Sequence, residues 1–107
     1  YLMIEDGCIL ICECKWWRGP SSLVETIDQV LKRVTWRENY GIVIIFAKGD
    51  ITDVLAKSVD TIKNHTTNIT KEVKEIQEHH FYSNNLRQDD KNKSVEIHYL
   101  FYNFPNK

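Results

Sequence analysis

Proline and glycine are scarce, at two and four residues in 107, and no repeat or low-complexity stretch gathers them. Collagen-like and disordered chains are thereby excluded. Without clustered glycines there is no phosphate-cradling P-loop or dinucleotide-binding loop, and no Ser-His-Asp order is present. Cysteine is sparse too: Cys8, Cys12 and Cys14 are odd in number and crowded together, unlike the even, spread set of a disulfide scaffold. Charge of one sign is also lacking. Fourteen Lys+Arg against fifteen Asp+Glu give a net charge of -1. That excludes a chain basic all round, but not a local basic patch. The longest apolar run, Ile42 to Ala47, falls far short of the ~20 residues that cross a membrane.

What is present is ordinary for a folded protein: 42% hydrophobic and 27% charged residues, at a length that suits one domain, 1–107, with one core. Tyr1 is an unusual start and the only methionine is Met3, so the sequence reads as the C-terminal part of a longer protein. On a strand, Cys12 and Cys14 point to the same side about 6.6 Å apart, which is awkward for a disulfide. A zinc site would need a second ligand cluster. The cysteines therefore read as small apolar residues in a reducing compartment, the cytoplasm.

Hydrophobic spacing predicts the elements. Ile9 to Trp17 reads as a strand, with Tyr1 to Ile4 as its hairpin partner across Glu5-Asp6-Gly7. Ser22 and Glu25 form a capping-box pattern. Leu23, Val24, Ile27, Val30, Leu31 and Val34 then recur at helical spacing, and Asn39-Tyr40-Gly41 reads as the helix end. Gly41 to Ala47 predicts a central strand buried on both faces. A second helix, capped by Asp50 or Thr52, carries Val54, Leu55, Val59 and Ile62 and ends near Asn64. Val73 to Ile76, His80 to Leu86 and Val95 to Phe104 read as strands, with Asp89 to Lys93 as a turn. The expectation is an α/β domain, β-β-α-β-α followed by β, with a central mixed sheet flanked by helices.

Alternation along Ile9 to Trp17 puts Glu13 and Lys15 side by side on one face of an otherwise apolar strand. Ionised groups on such strands need partners, because burial penalises charge. Three readings compete: a structural salt bridge, a strand that runs out into solvent after Cys12, or a site in which the carboxylate binds metal and the lysine acts beside it.

Glu13-Cys14-Lys15, followed by a capped helix and a buried strand, resembles the core of the PD-(D/E)xK, or restriction endonuclease-like, nuclease superfamily. Its members run a hairpin with an aspartate on the earlier strand or its lead-in and E-x-K on the later one, then a helix and a third strand. The segment ECKWWRGPSSLVETIDQVLKRVTWRENYGIVIIFAKG is similar to bacterial members reading roughly E-C-K-F-W-x-G, I-D-Q-L-L, T-W-R-D and an apolar strand. The resemblance implies Mg²⁺-dependent (or Mn²⁺-dependent) hydrolysis of DNA phosphodiesters. Glu13 would ligate the metal, and Lys15 would orient or activate water and stabilise charge at the phosphate. Asp6 is poorly placed for the second carboxylate, since it lies in the turn on the same arm. In similar members that residue precedes the hairpin, so it is expected upstream of Tyr1.

Part of the superfamily carries Q-x-x-x-Y on this helix. Gln29 matches, and the resemblance implies that it would support the site; Arg33 stands where the tyrosine would be. The helical step puts Gln29, Arg33 and Trp36 on the stripe opposite the buried face. Arg18, Arg33, Trp36 and Arg37, with Lys32, Trp16 and Trp17, gather cationic and aromatic surface in the first third of the chain, which suits one-sided binding to a phosphate backbone. One of Trp16 and Trp17 is expected in the core. His79 and His80 fall on opposite faces of a predicted strand and do not easily share one ion, His98 reads as a core or edge histidine, and His65 sits near a helix end, where a cation is favoured. A different class of function is a catalytically inactive nuclease fold serving nucleic-acid or protein interaction. A third is a homodimer formed through the aromatic strand Tyr99 to Phe104.

Overall fold

In the computed structural model the described residues are 2–5, 8–33, 40–86 and 94–104, with backbone alone for 2–5, 8–10 and 40. β1 (Leu2–Glu5) and β2 (Cys8–Trp16) form the antiparallel hairpin, Glu5 opposite Cys8 and Leu2 opposite Ile11. The turn residues Asp6 and Gly7 lie outside the described residues. α1 (Pro20–Arg33) follows, then β3 (Tyr40–Lys48), α2 (Thr52–Lys63), β4 (Lys74–Gln77), β5 (His80–Leu86) and β6 (Ser94–Phe104). One six-stranded mixed sheet results, in the order β1-β2-β3-β6-β5-β4. β2, β3 and β6 are parallel at its centre and the hairpins at either side are antiparallel.

Register assigns the faces. Ile11 lies opposite Gly41, Glu13 opposite Val43 and Lys15 opposite Ile45; Val43 lies opposite Tyr99, and Tyr99 opposite Phe81. On this face Ile11, Val43, Ile45, Ile97, Tyr99, Phe101 and Phe81 form one core with Leu23, Ile27, Val30 and Leu31 of α1 and Val54 and Ile62 of α2. Both helices therefore pack on the same side of the sheet. Right-handed crossovers that step in one direction, β2 to β3 through α1 and then β3 to β4 through α2, produce this. Ile27 and Val30 have no solvent exposure; side chains of this kind contribute roughly 1.5–3 kcal/mol each on burial.

Several expectations are corrected. α1 begins at Pro20, not after Ser22: Gly19, at φ +104°, accepts from the Leu23 amide at 3.3 Å, and Pro20 takes the first helical position, where its missing N–H costs nothing. Ser22 lies inside the helix, its carbonyl accepting from the Thr26 hydroxyl at 2.9 Å, so the capping box does not form. Val24 faces outward and Thr26 inward. Gly41 is no helix cap but a residue of β3. A Cβ there would sit 2.7 Å from Val30 Cγ1, so glycine lets α1 approach the sheet. Asp50 accepts from the Thr52 amide at 2.8 Å, although Ile51 is the capping position; that bond holds the Asp50 carboxyl below its usual range.

β3 is buried on one face only. Among the described residues no helix covers the other side, where Ile42, Ile44 and Phe46 are half-buried and Trp16, Tyr102 and Phe104 are 47%, 50% and 47% exposed. The expected flanking of the sheet by helices is thus one-sided here. Trp17 is the tryptophan that packs on the core. Val34, Asn39 and the 89–93 turn lie outside the described residues. No described helix is long and apolar enough to cross a membrane.

Candidate functional site

β1 pairs with β2 only as far as Ile11. Beyond that residue the outer edge of β2 has no described strand beside it, and the first turns of α1 flank it across a cleft of about 340 Å³. Lys15 and Arg18 line this cleft from the end of β2, and Glu25 and Gln29 line it from α1. All four are exposed. The structure thus brings together three of the predicted residues, Lys15, Arg18 and Gln29. Gln29 sits on the flank of α1 that faces β2 rather than opposite the buried stripe.

Glu13 shares the helix-facing side of β2 with Lys15 but lies one step deeper, with its side chain 7% exposed. It is not among the residues that line the cleft. Its carboxylate accepts a hydrogen bond from Arg33 Nη1, an ion pair across twenty residues of sequence. Helical side chains point back toward the helix N-terminus, so an arginine in the last turn of α1 reaches back over the sheet to Glu13. There it offsets the cost of taking the carboxylate out of water. Arg33 and Lys32 also end the helix with positive charge, which suits the helix dipole. Arg33 remains 54% exposed, so its guanidinium borders solvent. Trp36 and Arg37, predicted to contact nucleic acid, lie outside the described residues.

The resemblance implies Mg²⁺ or Mn²⁺ at Glu13, and the described residues do not fit it. Mg²⁺ requires near-octahedral oxygen ligation. Glu13 is already matched by a guanidinium, and no group of three or more potential ligands occurs among the described residues. Asp6 lies outside them.

Sequence reasoning missed Glu25 as a cleft residue, because the capping-box reading gave its carboxylate another task. The signal was Gly19-Pro20, which starts the helix earlier and frees Glu25. A second missed cluster is on the uncovered sheet face. His80 Nε2 lies 3.0 Å from His98 Nδ1, and His98 Nε2 lies 2.7 Å from Glu96 Oε2. Tyr82 stacks on His98 with ring centroids 5.5 Å apart. Partial burial and the neighbouring His98 hold His80 below its usual pKa. His65 is buried and ties the segment after α2 to α1. It accepts from the Thr67 amide at Nδ1, which leaves Nε2 to donate to Asp28 on α1 at 2.9 Å. Cys12 and Cys14 are both free, one buried and one exposed. Burial and the neighbouring Cys14 push the Cys12 thiol up to about 11.

Compared with protein-family models, with curated proteins and with solved structures, the chain matches none.

Proposed function

We propose that this chain is a nucleic-acid-binding domain of the restriction endonuclease-like kind, whose cleft between β2 and α1 takes the phosphodiester backbone of DNA. The observation that carries this reading is the convergence of Lys15, Arg18 and Gln29 on one open cleft. Two cations and an amide suit a phosphate oxygen. The hairpin, the E-x-K on its second strand, the helix and the parallel third strand follow the order that the resemblance implies.

A second reading is Mg²⁺-dependent cleavage by the same site, favoured by Glu13 and Lys15 lying on one face of β2. It requires Arg33 to leave Glu13 and further oxygen ligands to arrive.

Fluorescence anisotropy with labelled DNA tests the first reading, and incubation of DNA with Mg²⁺ or Mn²⁺ tests the second. Binding that weakens in Lys15→Ala and Arg18→Ala, with no cleavage, supports the non-catalytic domain. Cleavage lost in Glu13→Gln and Lys15→Ala supports the nuclease. Absence of DNA binding at low salt overturns both.

A further inference from the structure

The cleft at Lys15 continues around the end of β2. Trp16 and Arg18, which line it, also line a second opening of about 580 Å³ with Trp17, Phe46 and Lys48. Trp16 points to the uncovered face of the sheet, where it begins a run of rings. Its centroid is 5.7 Å from that of Phe46 and 5.5 Å from that of Phe104, and Tyr102 stacks on Phe46 at 6.1 Å. Three of these four rings are about half exposed. Adjacent large aromatics left in water mark a binding surface, not a finished exterior.

The charges beside the rings narrow the occupant. Arg18 and Lys48 line the second opening and, among the described residues, no acidic side chain does; Lys48 Nζ sits 5.7 Å from the Trp16 ring centroid. Among the described residues, Glu25 is the carboxylate that lines the neighbouring cleft. Exposed rings bordered by cations are the composition that holds single-stranded nucleic acid, where bases stack on aromatic faces and the backbone follows the charges. A duplex keeps its bases stacked inside and would offer these rings nothing.

We infer that the Trp16–Phe46–Tyr102–Phe104 surface stacks unpaired nucleobases, so that the ligand of this domain is single-stranded nucleic acid. Its backbone passes Lys15 and Arg18 and its bases turn onto the open sheet face. This inference rests on the phosphate-binding reading of the cleft and names its ligand.

The test compares a labelled oligothymidylate with a duplex of the same length, using the whole chain as wild type, Trp16→Leu and Phe104→Leu. Leucine keeps the apolar cover, and circular dichroism verifies that each variant is folded. Single strands should bind at least about tenfold more tightly than duplex. Each ring variant should weaken single-strand binding by about tenfold, within the range of base–aromatic stacking, and Phe104→Leu, whose ring does not line the cleft, should leave duplex binding unchanged. Equal affinity for both forms, unmoved by either variant, overturns the stacking surface while the cleft reading stands. Loss of all DNA binding in wild type removes the cleft reading itself. Sedimentation velocity distinguishes a rival occupant. Self-association that both ring variants abolish would assign the surface to a second copy of the chain and overturn the proposal.

Discussion

The Glu13–Arg33 pair makes a quantitative prediction with an uneven outcome. Glu13 is 7% exposed and Arg33 54% exposed, so the two partners do not bear equal consequences when the other is removed. Arg33→Met withdraws a positive charge from a carboxylate almost out of water. Breaking a buried pair in this way costs ~3–5 kcal/mol, and the half-solvated guanidinium points to the lower figure, about 3 kcal/mol. In a domain of this size each kcal/mol moves the melting temperature by roughly 4–8 °C. Arg33→Met should therefore melt about 12–24 °C below wild type. Glu13→Gln leaves a guanidinium that water already reaches, and should cost only ~1 kcal/mol. The double variant should recover most of the loss, because an amide in place of the carboxylate no longer requires a counter-charge. Thermal unfolding followed by circular dichroism, completed as a double-mutant cycle, reads all three values. An Arg33→Met variant within about 0.5 kcal/mol of wild type, or a double variant no better than Arg33→Met, would refute the reasoning.

Other outcomes follow from single features. Gly41→Ala puts a methyl 2.7 Å from Val30 Cγ1 and should destabilise the fold by ~1–3 kcal/mol through overpacking, read by urea unfolding; Gly41→Ala paired with Val30→Ala should lose less than the sum of the two. Iodoacetamide followed by peptide mass mapping should modify exposed Cys14 promptly and spare buried Cys12, whose thiol is pushed up to about 11; rapid labelling of Cys12 under native conditions would contradict its burial. His80 is held below the ordinary histidine value of 6.5 by burial and by His98. The unfolded chain therefore takes up the proton first as pH falls, and stability should drop below pH 6.5 until the folded-state histidine titrates as well. Glu96 contacts His98 at 2.7 Å and Tyr82 stacks on it, and His80→Gln should flatten this part of the stability–pH profile.

The elements were legible because their signals are local. Period-two alternation marked β2, the β-branched run marked β3, and Leu23, Ile27, Val30 and Leu31 recorded the buried side of α1. The final strands were legible for the same reason. The start of α1 was misread because Ser22 and Glu25 have a capping pattern that Gly19-Pro20, two residues earlier, overrides. Gly41 reads both as a helix end and as the start of a strand, and only the second holds, because a glycine after a helical stretch has two uses, a helix cap or a close approach. Only the position of Val30 in space decides between them. At the site, the shared face of Glu13 and Lys15 followed from alternation along one strand. The carboxylate's partner did not, since Arg33 meets it across twenty residues through tertiary packing. The His80–His98 contact likewise depends on the β5–β6 register, which no single strand encodes. The one-sided placement of the helices depends on the direction of two crossovers, and strand patterns do not carry that information.

The central claim is that Lys15 and Arg18 hold a phosphodiester backbone in the cleft between β2 and α1. The most direct measurement is DNA affinity against salt concentration for wild type, Lys15→Ala and Arg18→Ala. If each cation contacts a phosphate, each variant should bind more weakly and its log–log salt slope should fall by about one. Affinity and slope unchanged in both variants would contradict the account.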